Sequence, residues 1–323
     1  MMQLMMRSFF SKERPSLWLY LLSIPCVFLL LTFFAVYRND LRLQSLLSTC
    51  DNHVPSFLEP VSVKPDFRVL ISVFTTAWTF ERRHLLRHVY SKSLWPADNI
   101  TDYVDLRFVM CNITDEEHVT MVSLEIMVYN DIIVLNCTEN VNYGKTYNFF
   151  SSLPDIFGHD RLYDYVVKTD DDTYWRLDKL LASLRDKPRN DVYYGLEIPC
   201  NGTEFNFWIP TPFMTGLGYV LSWDLAEWIA ESEVPVNHTM GPEDMMLGWW
   251  LRMGEKGKNR YNNSPVMYDF RGDEQEPNCF RHDLTADTIA VHRLKENSRW
   301  ATVLKYFNVT DGHIKPFKFD YNP

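Results

Sequence analysis

The chain has 323 residues, of which 46% are apolar, so it can bury one large core, and it contains no repeat of fixed period. One catalytic-sized domain with an N-terminal extension is the arrangement that these values predict. The formal net charge is −10 and the acidic residues are dispersed along the chain, which argues against nucleic acid as a partner.

The N-terminal region contains an uncharged stretch of 21 residues, 17–37. A helix rises about 1.5 Å per residue, so this stretch matches a hydrocarbon core of about 30 Å. A cleaved signal peptide would have a shorter apolar core and a small-residue cleavage site, so we expect an uncleaved transmembrane signal-anchor. Arg7, Lys12 and Arg14 precede the stretch, which predicts a cytosolic tail at 1–16 and a luminal domain behind the anchor.

Seven N-glycosylation sequons support this orientation, because they are spread over the C-terminal region. Their asparagines are Asn99, Asn112, Asn136, Asn201, Asn237, Asn262 and Asn308. Together with the anchor, they predict a luminal glycoprotein domain.

Five cysteines follow the anchor: Cys50, Cys111, Cys137, Cys200 and Cys279. None has the Cys-x-x-Cys spacing of a zinc site, and the spacing alone fixes no disulfide pairing. Because five is an odd number, at least one cysteine is free or pairs with another chain, which would allow a homodimer.

The region after the anchor divides into a stem and a folded domain. Residues 38–65 contain three prolines and no strong periodicity, which predicts a stem and places the catalytic domain at 66–323. Short β-branched or aromatic runs then alternate with segments long enough for helices: Phe67–Phe74, Leu106–Cys111, Asp131–Asn136, Asp164–Thr169 and Val192–Glu197. This alternation predicts an α/β fold with a mainly parallel sheet.

Three consecutive aspartates, Asp170, Asp171 and Asp172, follow one of these predicted strands, and the helical spacing of 176–184 places them in a strand-to-helix connection. Carboxylates this close raise one another's pKa, so the triplet suggests a divalent cation bound between the protein and an anionic substrate. In open α/β sheets, ligands bind beyond the carboxyl ends of the strands, where the triplet lies. The alternative is a solvated turn with a helix N-cap, which needs only one aspartate.

Two further segments can contribute to a site. Glu243 and Asp244 follow a Gly-Pro turn and precede a predicted helix, so they either complement the helix dipole or supply a general base. Gly216 and Gly218 precede a strand-like run, where glycine permits either a close approach to a ligand or a simple bulge.

The order of these segments resembles the β-1,3-glycosyltransferase family, which includes galactosyltransferases, N-acetylglucosaminyltransferases and the fringe enzymes. Lys168–Asp172 is similar to its Lys-x-Asp-Asp-Asp motif, and Gly216–Ser222 to its Gly-x-Gly-Tyr-Val-Leu-Ser segment. Glu243–Gly248 matches its Glu-Asp-Val-x-x-Gly element, except that Met245 replaces valine.

Two earlier features extend the resemblance to about residues 67–295. Arg83 and Arg87 fall where the family has an arginine pair near the sugar nucleotide. The stretch Glu125–Ile133 resembles the family's Glu-x-x-x-Tyr-x-Asp-Ile-Ile sequence. The ordered combination is much more specific than any one motif.

The resemblance implies a GT-A (Rossmann-like nucleotide-binding) fold, a UDP-sugar donor, Mn²⁺ and inversion at the anomeric carbon by a single displacement. Asp172 and His292 would bind the metal, Asp170 would contact the metal or the ribose, and Asp171 would lie on the nucleotide side or be structural. Asp244, beside Glu243, would be the base. Gly216, Gly218, Arg83 and Arg87 would then belong to the donor and acceptor site.

The expected protein is therefore a Golgi type II membrane glycosyltransferase that moves galactose or N-acetylglucosamine from a UDP-sugar to a glycoprotein or glycolipid. The rival interpretations are a luminal binding or scaffold protein with the same fold and a metal-dependent hydrolase. Val89 and Tyr90 replace the family's Thr-Trp, which leaves the donor sugar open.

Overall fold

The computed structural model of the protein describes residues 66–91, 104–158, 162–200, 211–272, 276 and 278–309. The predicted cytosolic tail, the anchor at 17–37 and the stem at 38–65 lie outside these residues and stay predictions. Within the described ranges, no helix is both long enough and apolar enough to cross a membrane.

The central sheet has seven strands. They are β1 (Val69–Phe74), β2 (Val104–Cys111), β3 (Ile132–Leu135), β4 (Tyr165–Asp170), β6 (Val192–Ile198), β7 (Phe213–Ser222) and β8 (Asn259–Asn262). Their order in the sheet is β3-β2-β1-β4-β7-β6-β8. The first four in this order are parallel, whereas β7 runs antiparallel to β4 and β6. The predicted α/β fold with a parallel-rich sheet is confirmed, and the mixed centre at β7 is the departure from it.

A smaller four-stranded sheet lies beside the end of the central one. Its strands are β5 (Tyr174–Trp175), β9 (Met267–Phe270), β10 (Arg281–His282) and β11 (Ala290–His292), in the order β10-β9-β11-β5. The prediction that β4 leads directly to a helix is wrong, because the short strand β5 lies between the aspartate triplet and that helix. Since β5 pairs with β11, this strand brings residue 292 next to the triplet.

Helices connect the strands and cover the sheet. They are α1 (Phe80–Ser91), α2 (Glu116–Tyr129), α3 (Lys145–Phe157), α4 (Leu177–Leu184), α5 (Trp223–Glu231), α6 (Glu233–Val236), α7 (Glu243–Met253) and α8 (Asn297–Tyr306). The helices expected after the triplet and at Glu243 are both present as α4 and α7.

The core has two parts, one on each face of the central sheet. Along β1, Val69, Ile71 and Val73 belong to one cluster, whereas Leu70 and Phe74 belong to the other. A parallel strand that is covered by helices on both faces must be apolar at every position, which explains the continuous apolar runs in the sequence.

Two disulfides join the described cysteines: Cys111 with Cys137, and Cys200 with Cys279. Cys50 lies outside the described residues, so a homodimer through an unpaired cysteine stays a prediction. The first disulfide ties the end of β2 to the segment after β3, and the second ties β6 to the segment before β10.

Candidate active site

A cavity of about 1130 Å³ opens beyond the carboxyl ends of β1 and β4. Its walls are the end of β1 with the following loop, the first turns of α1, the aspartate triplet and one side of α8. This is the edge of the sheet where an open α/β fold binds its ligand. The volume is slightly above the range of about 300–1,000 Å³ that is typical of small-molecule sites, so a small molecule has room to bind.

Asp170, Asp172 and His292 meet at the base of this cavity, and we call them the metal cluster. Each offers a ligand atom, and these atoms lie within 4.8 Å of one another. The Nε2 atom of His292 is 3.1 Å from Oδ1 of Asp172 and 3.9 Å from Oδ2 of Asp170. The structure thus brings His292 to two aspartates that lie more than 100 positions earlier in the sequence.

Asp269 holds the histidine of the metal cluster from behind. Its Oδ1 lies 2.7 Å from Nδ1 of His292, because the two residues are paired across β9 and β11. A carboxylate on the second ring nitrogen fixes the tautomer and orientation of a metal-ligating histidine. Two carboxylates and an imidazole so oriented fit a divalent ion such as Mn²⁺.

The metal cluster favours positive charge. Burial alone would lower the pKa of His292, but hydrogen bonds to Asp172 and Asp269 and their charges raise it to about 9. Burial would raise the pKa of Asp172, but the hydrogen bond and charge of His292 lower it below its ordinary value. A proton and a divalent cation therefore compete for the same place.

The middle aspartate of the triplet has a different environment. Asp171 also lines the cavity, and its Oδ2 accepts a hydrogen bond from Thr75 at 3.0 Å. The pKa of Asp171 is raised above its ordinary value, and burial of the carboxyl group is the largest cause. This aspartate is oriented by Thr75, the residue that follows β1, and is not part of the metal cluster.

Three cationic side chains that the sequence analysis did not select line the cavity: Arg82, Lys145 and Lys295. Arg82 donates to the carbonyl oxygens of Leu294 and Lys295 at 2.7 Å, which fixes the segment after His292. Lys145 donates to the carbonyl oxygen of Thr75 at 2.8 Å. These cations can offset the charge of an anionic ligand.

Arg83 and Arg87 do not line the cavity. Arg83 is fully buried, where it pairs with Glu125 and donates to the carbonyl oxygens of Thr76 and Ala77. Arg87 donates to Glu125 and to Asp131 at 2.8 Å. In the structure both arginines hold Glu125, and Arg83 also holds the loop after β1, while their contact with the nucleotide stays a prediction.

This network also explains a feature of the sequence resemblance. The partners of the two arginines, Glu125 and Asp131, lie in the stretch Glu125–Ile133 that the family shares. The arginine pair and the stretch Glu125–Ile133, which both match the family, therefore contact each other in the structure. Arg82, one residue earlier on α1, faces the cavity instead, and neighbouring helical residues differ by about 100° in direction.

Glu243 and Asp244, which we call the acidic pair, begin α7. Glu243 is buried, with Lys168 donating to its Oε1 at 2.6 Å and the Tyr219 hydroxyl donating to its Oε2 at 3.0 Å. Burial raises its pKa, while Lys168 acts in the opposite direction. Asp244 is only half-buried, and its Oδ2 accepts from the backbone N–H of Gly216 at 2.9 Å.

The two members of the acidic pair therefore differ in what they can do. Glu243 is buried and pairs with the side chains of Lys168 and Tyr219, which gives it a structural role, and its catalytic role stays a prediction. Asp244 does not line the cavity and accepts two backbone hydrogen bonds, but it keeps partial exposure to solvent, through which a substrate hydroxyl can reach it. Of the pair, only Asp244 fits the role of a general base.

The two glycines of β7 serve close packing. A Cβ on Gly216 would lie 2.9 Å from Oε1 of Glu243, and one on Gly218 would lie 2.5 Å from Cζ2 of Trp175. Neither glycine lines the cavity. Their contact with the donor or acceptor stays a prediction, and in the structure Gly216 approaches the acidic pair and Gly218 approaches Trp175.

Lys168 joins the metal cluster to the acidic pair. Its buried Nζ lies 2.9 Å from Oδ1 of Asp170, 2.6 Å from Oε1 of Glu243 and 3.1 Å from the carbonyl oxygen of Gly216. Burial alone would lower its pKa, but the two carboxylates raise it above its ordinary value. Lys168 thus remains charged and directs the other oxygen of Asp170 towards His292.

Comparison with known proteins gives consistent matches. A sequence model of the galactosyltransferase family matches residues 81–207. The β-1,3-galactosyltransferase pvg3 of Schizosaccharomyces pombe is 24% identical, over 92% of this chain and 91% of its own. β-1,3-Galactosyltransferase 1 of Homo sapiens and of Mus musculus is 25% identical, over 61% of this chain and 63% of theirs.

One solved structure resembles the chain more weakly. It is a glycosyltransferase involved in the glycosylation of the major capsid of PBCV-1, with 10% sequence identity and a TM-score of 0.42. The similarity covers 74% of this chain and 99% of that chain.

Proposed function

We propose that the chain is a remote member of the galactosyltransferase family and that it transfers a hexose from a UDP-sugar to a hydroxyl group of a glycan. The reaction is metal-dependent and forms a β-1,3 linkage with inversion. The hexose is galactose or N-acetylglucosamine, and the fold is of the GT-A type.

The observation that carries this proposal is the metal cluster at the base of the cavity. Asp170, Asp172 and His292 hold a divalent cation there, and Asp269 orients the imidazole. When bound, the cation supplies positive charge beside the diphosphate, where the leaving group gains negative charge. Carboxylate and imidazole ligands together favour Mn²⁺ over Mg²⁺.

The cavity can also accommodate the diphosphate through the protein's own cations. Arg82, Lys145 and Lys295 lie along its wall, so they offset phosphate charge that the cation leaves. Glu81 and Glu139 line the same cavity, and Lys145 pairs with Glu139, so a bound cation is needed beside these side chains to hold a diphosphate. The apolar side of the cavity, with Leu85, Trp300 and Leu304, excludes water from the donor.

Asp244 is the base of the transfer. Its carboxylate takes the proton from the acceptor hydroxyl as the oxygen attacks the anomeric carbon. The backbone N–H of Gly216 holds this carboxylate in place at 2.9 Å. A single displacement then inverts the configuration.

The cellular setting is proposed from the N-terminal sequence. The uncharged stretch 17–37 and the spread of sequons support a single-pass type II protein of the Golgi membrane, with the catalytic domain in the lumen. The acceptor is then a glycoprotein or a glycolipid.

The full chain, purified in detergent, is tested against a panel of UDP-sugars with Mn²⁺ and with a chelator. We expect UDP release that requires one donor sugar, an acceptor glycan and the cation, and a product with a β-1,3 linkage. Absence of transfer with every donor would favour the scaffold interpretation, and cleavage without an acceptor would favour the hydrolase.

A further inference from the structure

The asparagines of two sequons are in direct contact. Nδ2 of Asn112 donates to Oδ1 of Asn136 at 2.8 Å, although the two residues lie 24 positions apart. The neighbouring cysteines, Cys111 and Cys137, form a disulfide with a Cα–Cα distance of 5.0 Å. The backbone N–H of Asn112 also donates to the carbonyl oxygen of Cys137 at 3.3 Å. Covalent and hydrogen bonds therefore hold the two sequons together.

Both sequons are also accessible. The side chains of Asn112 and Asn136 are exposed, and so are Thr114 and Thr138, the hydroxyl residues that complete the two sequons. A glycan on either asparagine would extend into solvent. Exposure to solvent would therefore allow glycosylation at either asparagine.

The modification reaction determines what the contact means. The Nδ2 atom of asparagine attacks C1 of the first sugar of a lipid-diphosphate-linked oligosaccharide. An N–C bond forms, the C–O bond to the lipid diphosphate breaks, and the amide loses one proton. The sugar therefore takes the place of a hydrogen on Nδ2, the atom at which Asn112 contacts Asn136.

We propose that Asn112 and Asn136 form one composite N-glycosylation site, which carries a single glycan in each molecule that has the Cys111–Cys137 disulfide. The acceptor nitrogens of both asparagines belong to amide groups in contact at 2.8 Å, which is less than the width of one sugar ring. Two sugars would have to separate these amides, and the disulfide opposes that separation. The inference rests on the luminal location proposed above.

Trypsin provides a direct measurement. No lysine or arginine lies between Arg107 and Lys145, so both sequons and both cysteines fall in one peptide, 108–145. Free thiols of the full chain, expressed in a secretory system, are alkylated before digestion, so that the peptide mass reports the disulfide. Glycans are then removed enzymatically in ¹⁸O-water, which labels each asparagine that carried one.

We expect disulfide-bonded peptides with a single label, at Asn112 in some molecules and at Asn136 in others. In Asn112→Gln the label should move entirely to Asn136, and in Asn136→Gln entirely to Asn112. A disulfide-bonded peptide with two labels would overturn the proposal.

Cys111→Ala is the matched variant, because it breaks the disulfide and leaves both sequons intact. We expect it to yield doubly labelled peptide, and a persistent single label would contradict the role of the disulfide. The sequons at Asn237 and Asn308 serve as internal controls. If these controls are labelled and peptide 108–145 is not, the inference of a composite site is wrong. If no asparagine is labelled at all, the proposed luminal location is wrong as well.

Discussion

The metal cluster and the acidic pair are built from similar residues and have opposite environments. Each contains two carboxylates that lie close together in the sequence. In the metal cluster, Asp170 and Asp172 face the cavity, with a histidine as their common partner. In the acidic pair, Glu243 is enclosed by Lys168 and a tyrosine hydroxyl, and Asp244 accepts from backbone N–H groups.

The comparison shows that the partners of a carboxylate decide its chemistry. Carboxylate oxygens that point into a cavity are ready to bind a cation. Carboxylate oxygens that already accept hydrogen bonds inside the fold are less available to a cation. Lys168 contributes to both groups, so it both neutralises Glu243 and fixes the orientation of Asp170.

The largest effect is expected for Asp172→Asn. The substitution removes a charge and a ligand atom from the metal cluster, so transfer should fall to background and Mn²⁺ binding should be lost. UDP release and calorimetric titration with Mn²⁺ measure the two effects. Asp186→Asn, at an exposed aspartate outside the cavity, is the control and should keep both. Transfer that survives in Asp172→Asn would contradict the proposed metal cluster.

Asp244→Asn tests the role of the base independently of metal binding. Asparagine keeps an acceptor for the N–H of Gly216 but cannot take a proton, so kcat should fall by about 10²–10⁴-fold. The Kd for Mn²⁺ should not change. Loss of Mn²⁺ binding in this variant would instead make Asp244 part of the metal cluster.

Lys168→Met tests the connection between the two groups. Removing one partner of a buried ion pair leaves Glu243 with an uncompensated charge, which costs about 3–5 kcal/mol of stability. In Lys168→Met/Glu243→Gln the second charge is removed, so part of this stability should return. Denaturant unfolding measures both, and equal loss in the single and double variants would argue against the pair.

Asp269→Asn addresses the support of the histidine. We expect the affinity for Mn²⁺ to fall by about 10–100-fold, because the imidazole loses its orienting carboxylate. The fold should be retained, as judged by circular dichroism. Asp283→Asn removes an exposed carboxylate that pairs with an arginine, and it should leave the Mn²⁺ affinity unchanged.

The smallest effect is a dependence on pH. The pKa of His292 is about 9 without a bound cation, against an ordinary 6.5. A histidine whose pKa is higher in the folded than in the unfolded chain stabilises the fold. This stabilisation is complete below the unfolded pKa and is lost as the pH rises through the folded pKa. With a chelator, the melting temperature should therefore fall between about pH 6.5 and 9 more in the native chain than in His292→Ala.

Metal binding should show the opposite dependence on pH. The cation must displace the proton of His292, so the apparent affinity for Mn²⁺ should rise with pH up to about 9. Titrations in buffers of different ionisation enthalpy measure the released proton. An affinity that is constant over this range would show that His292 is not a ligand.

Much of the fold could be predicted from local sequence. The apolar runs at β1, β2, β3, β4 and β6 are short and rich in β-branched or aromatic residues, and each forms a strand in the structure. The helix at Glu243 follows from its Gly-Pro turn and acidic first residues. The antiparallel direction of β7 could not be predicted, because strand direction depends on where the chain returns to the sheet.

The site was less accessible to sequence reasoning. Asp269 was missed because no motif surrounds it, and only its pairing with β11 places it behind His292. Arg82 was missed in favour of Arg83, since a sequence does not show which of two adjacent arginines faces a cavity. A sequence also does not show that Gly216 approaches Glu243 or that Gly218 approaches Trp175, because these neighbours lie far away in the chain.

The sequence by itself determined the kinds of chemistry present: an aspartate triplet after a strand, an acidic pair at a helix start, and a luminal setting as a prediction from sequons and an apolar stretch. These are local patterns, and local patterns follow from spacing and composition. Only the tertiary structure decided which carboxylates face the cavity, which are neutralised by Lys168, and that Asn112 and Asn136 meet. The physical reason is that such contacts join residues far apart in the chain, whose distance is set by sheet pairing and packing.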